Sequence, residues 1–294
     1  MKLGDLVVRN SYGGDVLFRV EALRQATAVL KGTDYRLLAD APVGDLSVVP
    51  HPDKAPATQQ VRVKVSATMQ RMVQEQLRQQ QTQRNDVIQR HGLQRDQAFF
   101  EVPGRVLHLD GDGNYMKKSM QLYEQMRVPA HGLYANEAQM PEILQRLLPQ
   151  IRPDIVVITG HDGVLKHRPK EELYQLSSYK NSQNFVNAVR VARDYEKSRD
   201  GLIVIAGACQ SHFEALLQAG SNFASSPGRI LIHALDPVYI AIKASYTPMR
   251  ETINLAEVIQ GTISGVDGVG GIETLGRHRV GMPKPRTPYT PGMF

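Results

Sequence analysis

The sequence of 294 residues contains a single cysteine, Cys209, and no tryptophan. One cysteine cannot form an internal disulfide, a thiolate-rich zinc site or an iron–sulfur cluster, which excludes a disulfide-stapled secreted scaffold. No stretch approaches the roughly 18 consecutive apolar residues of a membrane span, and the N-terminus has no apolar signal-peptide core. We therefore expect a protein of the reducing cytoplasm, in which Cys209 is either a buried small hydrophobic side chain or a nucleophile.

The excess of positive charge is small and unevenly distributed. Lys and Arg number 35 against 29 Asp and Glu, which gives a formal net charge of +6. Much of the excess lies in a Gln- and Arg-rich segment, residues 70–97, and in the Pro-rich, basic residues 277–294. A basic balance permits nucleic-acid binding but does not require it, so we do not expect nucleic acid to be a main partner.

Composition and turn signals divide the chain into four parts. Short apolar runs separated by Gly- and Asp-containing turns predict a small SH3-like β-barrel over residues 1–65. Good helix formers over residues 66–98 predict a polar linker helix, with a flexible linker as the alternative. An α/β domain is expected over residues 99–275, followed by a Pro-rich basic tail over residues 276–294.

From residue 99 onward, apolar strand patterns alternate with amphipathic helix patterns. Residues 154–159 and 202–206 are continuous apolar runs, as buried parallel strands are. A further strand is expected near residues 230–234 and a last helix over residues 250–263, while residues 35–38 are expected to form one of the strands of the N-terminal barrel. The alternation predicts an α/β fold, a three-layer domain around a parallel sheet.

Two of the predicted buried strands end in residues with catalytic chemistry. His161 follows the first strand, and Cys209 follows the second, 48 residues later. Sites in parallel sheets gather at the carboxyl ends of the strands, and a right-handed crossover makes these two strands neighbours. A cysteine needs a base to become a thiolate, and His161 can supply it and later protonate a leaving amine. The sequence therefore predicts a Cys/His catalytic pair.

The loops at these strand ends contain two groups of residues that could bind a metal ion. His161, Asp162 and His167 offer ligands for zinc, but no second shell is visible in the sequence. The acidic run at residues 110–114 is similar to a calcium loop, yet Tyr115 and Gln121 stand where an EF-hand needs glycine and glutamate. We expect neither a metal nor an organic cofactor.

The two strand ends resemble those of the caspase-like cysteine peptidases, which include caspases, legumain, clostripain and gingipains. The matching runs are IVVITG before His161 and LIVIAGA before Cys209, within residues 100–245. The resemblance implies a caspase-like α/β peptidase domain. One departure is that Asp162 separates His161 from Gly163. For the oxyanion hole, we expect the backbone N–H groups of Gly163 and Cys209.

A second resemblance spans the whole chain. The segments GDLVVRNSYGGDVLFRV, ITGHDG, AGACQSHFEALLQAGSNFASSP and GVGGIETLGRHRVGMP resemble the YabG family of sporulation-specific cysteine peptidases of endospore-forming Bacillota. The resemblance implies a protease of the mother cell, associated with the forming spore coat, that processes coat and cortex-associated proteins. It also implies His161 and Cys209 as the catalytic pair and cleavage near basic residues, especially arginine.

An arginine in a substrate needs a carboxylate partner, ideally a bidentate one. Asp110 and Asp112 follow a predicted strand next to the His161 strand, so we expect them to bind the substrate side chain, with Asp162 and Asp236 behind them. The alternative for residues 110–114 is a helix N-terminal turn. No third catalytic group is identifiable, because Asp162 is too close along the backbone to orient His161.

These features together predict a cysteine endopeptidase that acts through an acyl-enzyme. The barrel is expected to recruit coat-protein substrates or to anchor the enzyme to the assembling coat. The alternatives are a non-enzymatic coat-associated scaffold and a cysteine amidase that acts on a small molecule. We also expect self-cleavage at arginines of residues 70–97 or of the tail from Arg277.

Overall fold

The computed structural model describes residues 1–50, 56–90, 99–165 and 170–282. The N-terminal part is an antiparallel sheet of five short strands, β1 (Leu6–Arg9), β2 (Phe18–Leu23), β3 (Thr27–Gly32), β4 (Leu38–Pro42) and β5 (Leu46–Val48). Their order in the sheet is β4-β3-β2-β1-β5. One-turn 3-10 helices lie at Asn10–Tyr12 and Val43–Asp45. Inward-facing Val7, Phe18, Val20 and Leu30 form its core. The predicted β-rich N-terminus is confirmed as an antiparallel sheet.

One strand of this sheet begins later than its sequence predicts. The expected strand at residues 35–38 is wrong, because β4 starts only at Leu38 and pairs with β3 from Lys31 to Thr27. Residues 33–37 instead form the loop between β3 and β4. We call these residues the β3–β4 loop. Its backbone hydrogen bonds go to the second part of the molecule.

A long helix, α1 (Pro56–Arg90), follows the first sheet. Met69 and Val73 pack against the core of the α/β part, and Oε1 of Glu75 lies 2.8 Å from Nζ of Lys243. The predicted division of the chain into residues 1–65, 66–98, 99–275 and 276–294 stays a prediction. Residues 91–98 and 283–294 lie outside the described residues.

The second part alternates strands and helices around a six-stranded sheet. Its strands, including two that pair apart from that sheet, are β6 (Phe100–Val102), β7 (Val106–Asp110), β8 (Ala130–Tyr134), β9 (Ile155–Thr159), β10 (Ile203–Ala206), β11 (Phe223–Ser225), β12 (Val269–Gly271) and β13 (Arg279–Gly281). The order in the six-stranded sheet is β8-β7-β9-β10-β11-β12. The ladders from β8 to β11 are parallel, β12 is antiparallel to β11, and β6 pairs with β13 separately.

Helices cover both faces of this sheet. They are α2 (Gly113–Gln125), α3 (Met140–Ile151), α4 (Ser182–Tyr195), α5 (Phe213–Ala219), α6 (Asp236–Tyr246) and α7 (Leu255–Gly261). Further 3-10 turns lie at Glu137–Gln139, Lys170–Tyr174 and Leu176–Ser178. One core joins the sheet to α2 and α6, and the other joins it to α3, α4 and α5. The prediction of an α/β fold around a largely parallel sheet is confirmed.

Two predicted elements of the α/β part differ in the structure. The expected strand at residues 230–234 is wrong, because Ile232 and Ala234 hydrogen-bond to the β3–β4 loop and do not join the sheet. The expected helix at residues 250–263 is only the seven-residue α7. Thr252 pairs with Leu275 before it, and the Asn254 side chain caps its first turn. Across the described ranges, no helix has the length and apolar character to cross a membrane.

Candidate active site

A sharp turn after β10 carries Cys209. Gly207 adopts φ 111° and Gln210 adopts φ 55°, both in the left-handed region that most side chains avoid. A Cβ atom on Gly207 would also lie 2.9 Å from Cδ1 of Leu216, so glycine suits this position on both counts. The N–H of Ala208 donates to Oγ of Ser211 at 2.9 Å and closes the turn. The turn fixes Cys209 just beyond the carboxyl end of the central sheet.

The Cys209 thiol is fully buried. Its Sγ accepts a hydrogen bond from the N–H of Ile232 at 3.1 Å. Burial raises the pKa of the thiol to about 12, because a thiolate would lose its hydration there. The thiol is therefore protonated at neutral pH in the conformation described.

His161 emerges from the neighbouring strand at the same edge. Strands β9 and β10 pair in parallel, with Ile155 opposite Ile203, so the loops after both strands lie side by side. The His161 ring is fully buried, and among the described residues neither of its nitrogens has a hydrogen-bond partner. Burial lowers its pKa to about 4, which leaves the imidazole neutral and able to accept a proton.

Three side chains surround the His161 loop. The Tyr115 ring stacks on the imidazole with the ring centres 5.3 Å apart. Oδ2 of Asp112 lies 3.7 Å from its Nε2, beyond hydrogen-bond distance but close enough to stabilise a protonated ring. Oε1 of Glu137 accepts the backbone N–H of His161 at 2.9 Å and holds the loop in place. Burial raises the pKa of the Glu137 carboxyl.

The Asp162 side chain links the loop that carries His161 to the turn that carries Cys209. Its Oδ1 accepts the N–H groups of Gly163 and Asn181, both at 2.8 Å. Its Oδ2 accepts the hydroxyls of Ser182 at 2.6 Å and Ser211 at 2.9 Å. The carboxylate is fully buried, and burial raises its pKa. Because Ser211 closes the Cys209 turn, Asp162 couples the positions of the two candidate catalytic residues.

Two backbone N–H groups converge on one carbonyl oxygen, that of Arg36 in the β3–β4 loop. The N–H of Cys209 lies 3.2 Å from this oxygen and the N–H of Asp162 lies 3.3 Å from it. The N–H of Gly163, expected in the oxyanion hole, donates to Oδ1 of Asp162 instead. The pair of N–H groups that receives a carbonyl here is therefore that of Asp162 and Cys209.

Asp110 lies at the end of β7, where it contacts the Arg36 side chain. Nη1 of Arg36 lies 2.8 Å from Oδ2 of Asp110, and neither side chain is exposed. Nε and Nη2 of Arg36 donate to the carbonyl of Ala234 at 3.1 and 2.7 Å, and the guanidinium stands 5.1 Å from the centre of the Tyr115 ring. Oδ1 of Asp110 accepts the N–H of Asp112 at 2.9 Å, which fixes the carboxylate. These groups form a closed pocket for a guanidinium.

The other predicted acidic residues have different surroundings. Asp112 is the N-cap of α2, where Oδ1 accepts the N–H groups of Asn114 and Tyr115 at 2.8 and 3.2 Å. Asp112 therefore lies in a helix N-terminal turn, the alternative that the sequence left open for residues 110–114. Asp236 begins α6 and accepts the N–H groups of Ile263 and Ser264, and burial raises its pKa to about 6.

The structure brings together the predicted residues Cys209, His161, Asp110 and Asp112 at one edge of the sheet. Sequence reasoning missed Arg36 and Glu137, and neither stands in a motif that points to this site. Within the described ranges, no cluster of three or more His, Cys, Asp or Glu side chains is arranged to hold a metal ion. His167, an expected ligand in the zinc alternative, lies outside the described residues.

Comparisons with known proteins cover nearly the whole chain. A family model described as YabG peptidase U57 matches residues 2–283. The chain is also similar to the sporulation-specific protease YabG of Bacillus subtilis (strain 168), with 42% identity over 290 residues, which is 96% of this chain and 98% of that protein. No solved structure matches the chain.

Proposed function

The chain belongs to the YabG peptidase U57 family, and from this premise we propose that it is a cysteine endopeptidase with Cys209 as nucleophile and His161 as general base and acid. The family and the similar Bacillus subtilis protease support a sporulation protease. The observation that carries the cysteine assignment is the pair of N–H groups, from Cys209 and Asp162, that binds a peptide carbonyl beside a buried neutral histidine.

The proposed reaction proceeds through an acyl-enzyme. His161 accepts the thiol proton as Cys209 Sγ attacks the scissile carbonyl, and the N–H groups of Asp162 and Cys209 stabilise the oxyanion. The imidazolium then protonates the leaving amine, with the Asp112 carboxylate 3.7 Å away favouring the charged ring. Water hydrolyses the thioester and restores the thiol. The Asp162 network holds the two catalytic loops in register and does not touch the reacting atoms.

Arginine is the proposed residue on the amino side of the cleaved bond. The support is the buried contact between the Arg36 guanidinium and Asp110, which matches a charge to a fixed carboxylate in a closed pocket. The Ala234 carbonyl and the Tyr115 ring complete the pocket for a planar guanidinium. The planar guanidinium binds the Asp110 carboxylate and the Ala234 carbonyl at the same time through different nitrogens. A lysine ammonium lacks this geometry, so arginine should be preferred over lysine.

We propose a caspase-like fold for the α/β part and an SH3-like fold for the N-terminal sheet. A caspase-like catalytic domain is supported by the strand order β8-β7-β9-β10-β11 and by His161 and Cys209 at adjacent strand ends. An SH3-like identity of the N-terminal sheet is supported by its five short antiparallel strands. The proposed substrates are spore coat and cortex-associated proteins, and the proposed location is the mother cell, at the forming coat.

The experiment compares the wild-type chain with Cys209→Ala and His161→Gln on purified coat proteins and on peptides that contain one arginine. The proposal expects fragments ending in arginine from the wild type and a loss of at least about 10³-fold in rate for either variant. Equal band patterns from the wild type and Cys209→Ala would instead favour the coat-associated scaffold. Hydrolysis of a small-molecule amide without peptide cleavage would favour the amidase.

A further inference from the structure

The β3–β4 loop lies along the candidate active site as an extended segment with isolated bridges at Tyr35 and Leu37. The N–H of Arg36 donates to the carbonyl of Ile232 at 3.2 Å, and the N–H of Ala234 donates to the carbonyl of Asp34 at 2.9 Å. These bonds form a short antiparallel pairing, in which Tyr35 stands opposite His233. Backbone pairing of this kind binds an extended peptide independently of most of its side chains.

On the other side of Arg36, the chain continues past the His161 loop. Leu37 forms a parallel bridge with Asp162, and the N–H of Leu38 donates to the Asp162 carbonyl at 3.0 Å. A Cβ atom on Gly163 would lie only 2.7 Å from the Leu38 carbonyl oxygen, so glycine permits this close passage. The loop therefore spans both sides of the carbonyl that Cys209 and Asp162 bind.

The hydroxyl of Tyr115 holds the start of the same loop. It donates to the carbonyl of Tyr35 at 2.8 Å and also contacts the carbonyl of Gly32. Strands β3 and β4, which flank the loop, stay paired at five positions from Thr27 with Pro42 to Lys31 with Leu38. The loop is thus presented on a rigid hairpin and clamped in the cleft by the α/β part.

We propose that the Arg36–Leu37 peptide bond is an internal cleavage site, held in the active site with Arg36 in the substrate arginine pocket. The proposal rests on the function proposed above and deepens it, because it names a substrate of the same site. Three independent features coincide at one residue. The carbonyl of Arg36 receives the two N–H groups, its guanidinium pairs with Asp110, and its backbone pairs with Ile232.

The proposed step balances as an ordinary acyl transfer. The Sγ of Cys209 bonds to the carbonyl carbon of Arg36, the C–N bond to Leu37 breaks, and His161 passes the thiol proton to the new amine of Leu37. Water then hydrolyses the thioester, which leaves a carboxylate on Arg36 and the thiol on Cys209. The products are residues 1–36 and residues 37–294.

The uncut loop also blocks the site. Cys209, His161 and Arg36 are all fully buried, so another polypeptide reaches the thiol only after the loop leaves. Cleavage separates β3 from β4 covalently but leaves their ladder in place. The fragments are therefore expected to stay associated under native conditions, and the cut must be detected in a denatured sample.

The experiment follows freshly purified full-length chains by intact mass under denaturing conditions, in parallel with cleavage of a fluorogenic peptide that ends in arginine before the reporter amine. The proposal expects the wild type to give residues 1–36 and 37–294, and Cys209→Ala to remain intact at this bond. Arg36→Gln should lose this cut. Because it also lacks the ion pair with Asp110 that holds the loop in the cleft, its loop can leave and the variant should still cleave the peptide. The matched variant Arg24→Gln changes an exposed arginine in the β2–β3 turn and should cut as the wild type does.

The outcomes separate the two proposals. A wild type that cleaves the peptide but keeps the Arg36–Leu37 bond intact overturns the internal site and leaves the peptidase function standing. A wild type that cleaves neither overturns both. Arg36→Lys provides a second variant that keeps a positive charge for Asp110. The proposal expects it to cut at least about tenfold more slowly than the wild type, and an unchanged rate counts against a pocket for arginine.

Discussion

Nη1 of Arg36 and Oδ2 of Asp110 form an ion pair 2.8 Å long in which neither side chain reaches solvent. The pair joins two separate parts of the chain, since Arg36 lies in the β3–β4 loop and Asp110 lies at the end of β7. A buried charge that loses its partner is strongly destabilising, because no water replaces the lost contact. The ion pair in the arginine pocket therefore also stabilises the docking of the N-terminal sheet on the α/β part.

Asp110→Asn should lower the free energy of unfolding by about 3 kcal/mol, because it leaves the Arg36 guanidinium buried without a counter-charge. The measurement is urea unfolding in the Cys209→Ala background, which keeps the chain uncut. Arg36→Met combined with Asp110→Asn should lose less than the sum of the two single variants, with a coupling of at least about 1 kcal/mol. Additive losses would contradict a direct interaction.

The placement of His161 and Cys209 at one edge of the sheet was predictable from the sequence, because it rests on local patterns. Two apolar runs predict buried parallel strands, and the crossover between them predicts that His161 and Cys209 lie at one edge. The expectation for Asp110 followed from the same rule for strand ends. The functional roles of these residues stay predictions, and the experiments above test them.

The position of Arg36 in this site was not predictable, because no sequence pattern around Arg36 points to it. Its contacts with Asp110 and Asp162 cross from one sheet to the other, and only the docking of the two parts creates them. The sequence instead predicts self-cleavage at residues 70–97 or from Arg277. The described part of the first segment is helical, and Arg277 is buried. Cleavage in those segments stays a prediction.

Gly163→Ala should lower the free energy of unfolding by about 1–3 kcal/mol, because its Cβ would lie 2.7 Å from the Leu38 carbonyl and force the β3–β4 hairpin away. Urea unfolding in the Cys209→Ala background measures the change. Gly44→Ala is the matched control. A Cβ atom at Gly44 meets nothing within 4 Å, so its effect should stay within about 0.5 kcal/mol. Equal effects of the two variants would argue against close passage at Gly163.

Asp162→Asn should lower kcat on the arginine peptide by about 10²-fold and leave KM nearly unchanged. The amide replaces an acceptor oxygen that receives the hydroxyls of Ser182 and Ser211, so the loops carrying His161 and Cys209 lose their common anchor. Asp236→Asn, at a buried carboxylate that holds residues 263–264, controls for general damage to the fold. A rise in KM with kcat unchanged would instead indicate that Asp162 binds substrate.

Acid should destabilise the folded chain partly through His278. Burial lowers its pKa to about 4 from an unfolded value of about 6.5, so the unfolded chain binds more protons between these values. Its contribution is present above pH 6.5 and is lost as the pH falls toward 4. His278→Phe, which keeps a ring against Tyr246, should remove about 1.5–2 kcal/mol of the stability lost between pH 7 and pH 5.

The control for this measurement is His131→Phe. His131 is exposed on β8, so its contacts with water change little on unfolding, and the variant should keep the wild-type pH dependence. The measurement is urea unfolding at pH 7, 6 and 5 in the Cys209→Ala background. If His278→Phe loses stability as steeply as the wild type when the pH falls, His278 does not carry this dependence.

Thiol labelling tests the occupied site without relying on catalysis. Cys209 is the only cysteine in the sequence, so iodoacetamide incorporation reports on one thiol. In the His161→Gln background, which should not cut itself, the thiol remains buried beneath the β3–β4 loop and should label at least about tenfold more slowly than in urea-unfolded chain.

Adding Arg36→Gln removes the ion pair with Asp110 and should accelerate labelling by loosening the loop, whereas adding Arg24→Gln should leave the rate unchanged. Because burial holds the thiol pKa near 12, labelling of the covered state at pH 7 requires the loop to open, and its rate measures that opening. Equal labelling rates for the Arg36→Gln and Arg24→Gln chains would mean that the Arg36 contacts do not keep the site closed.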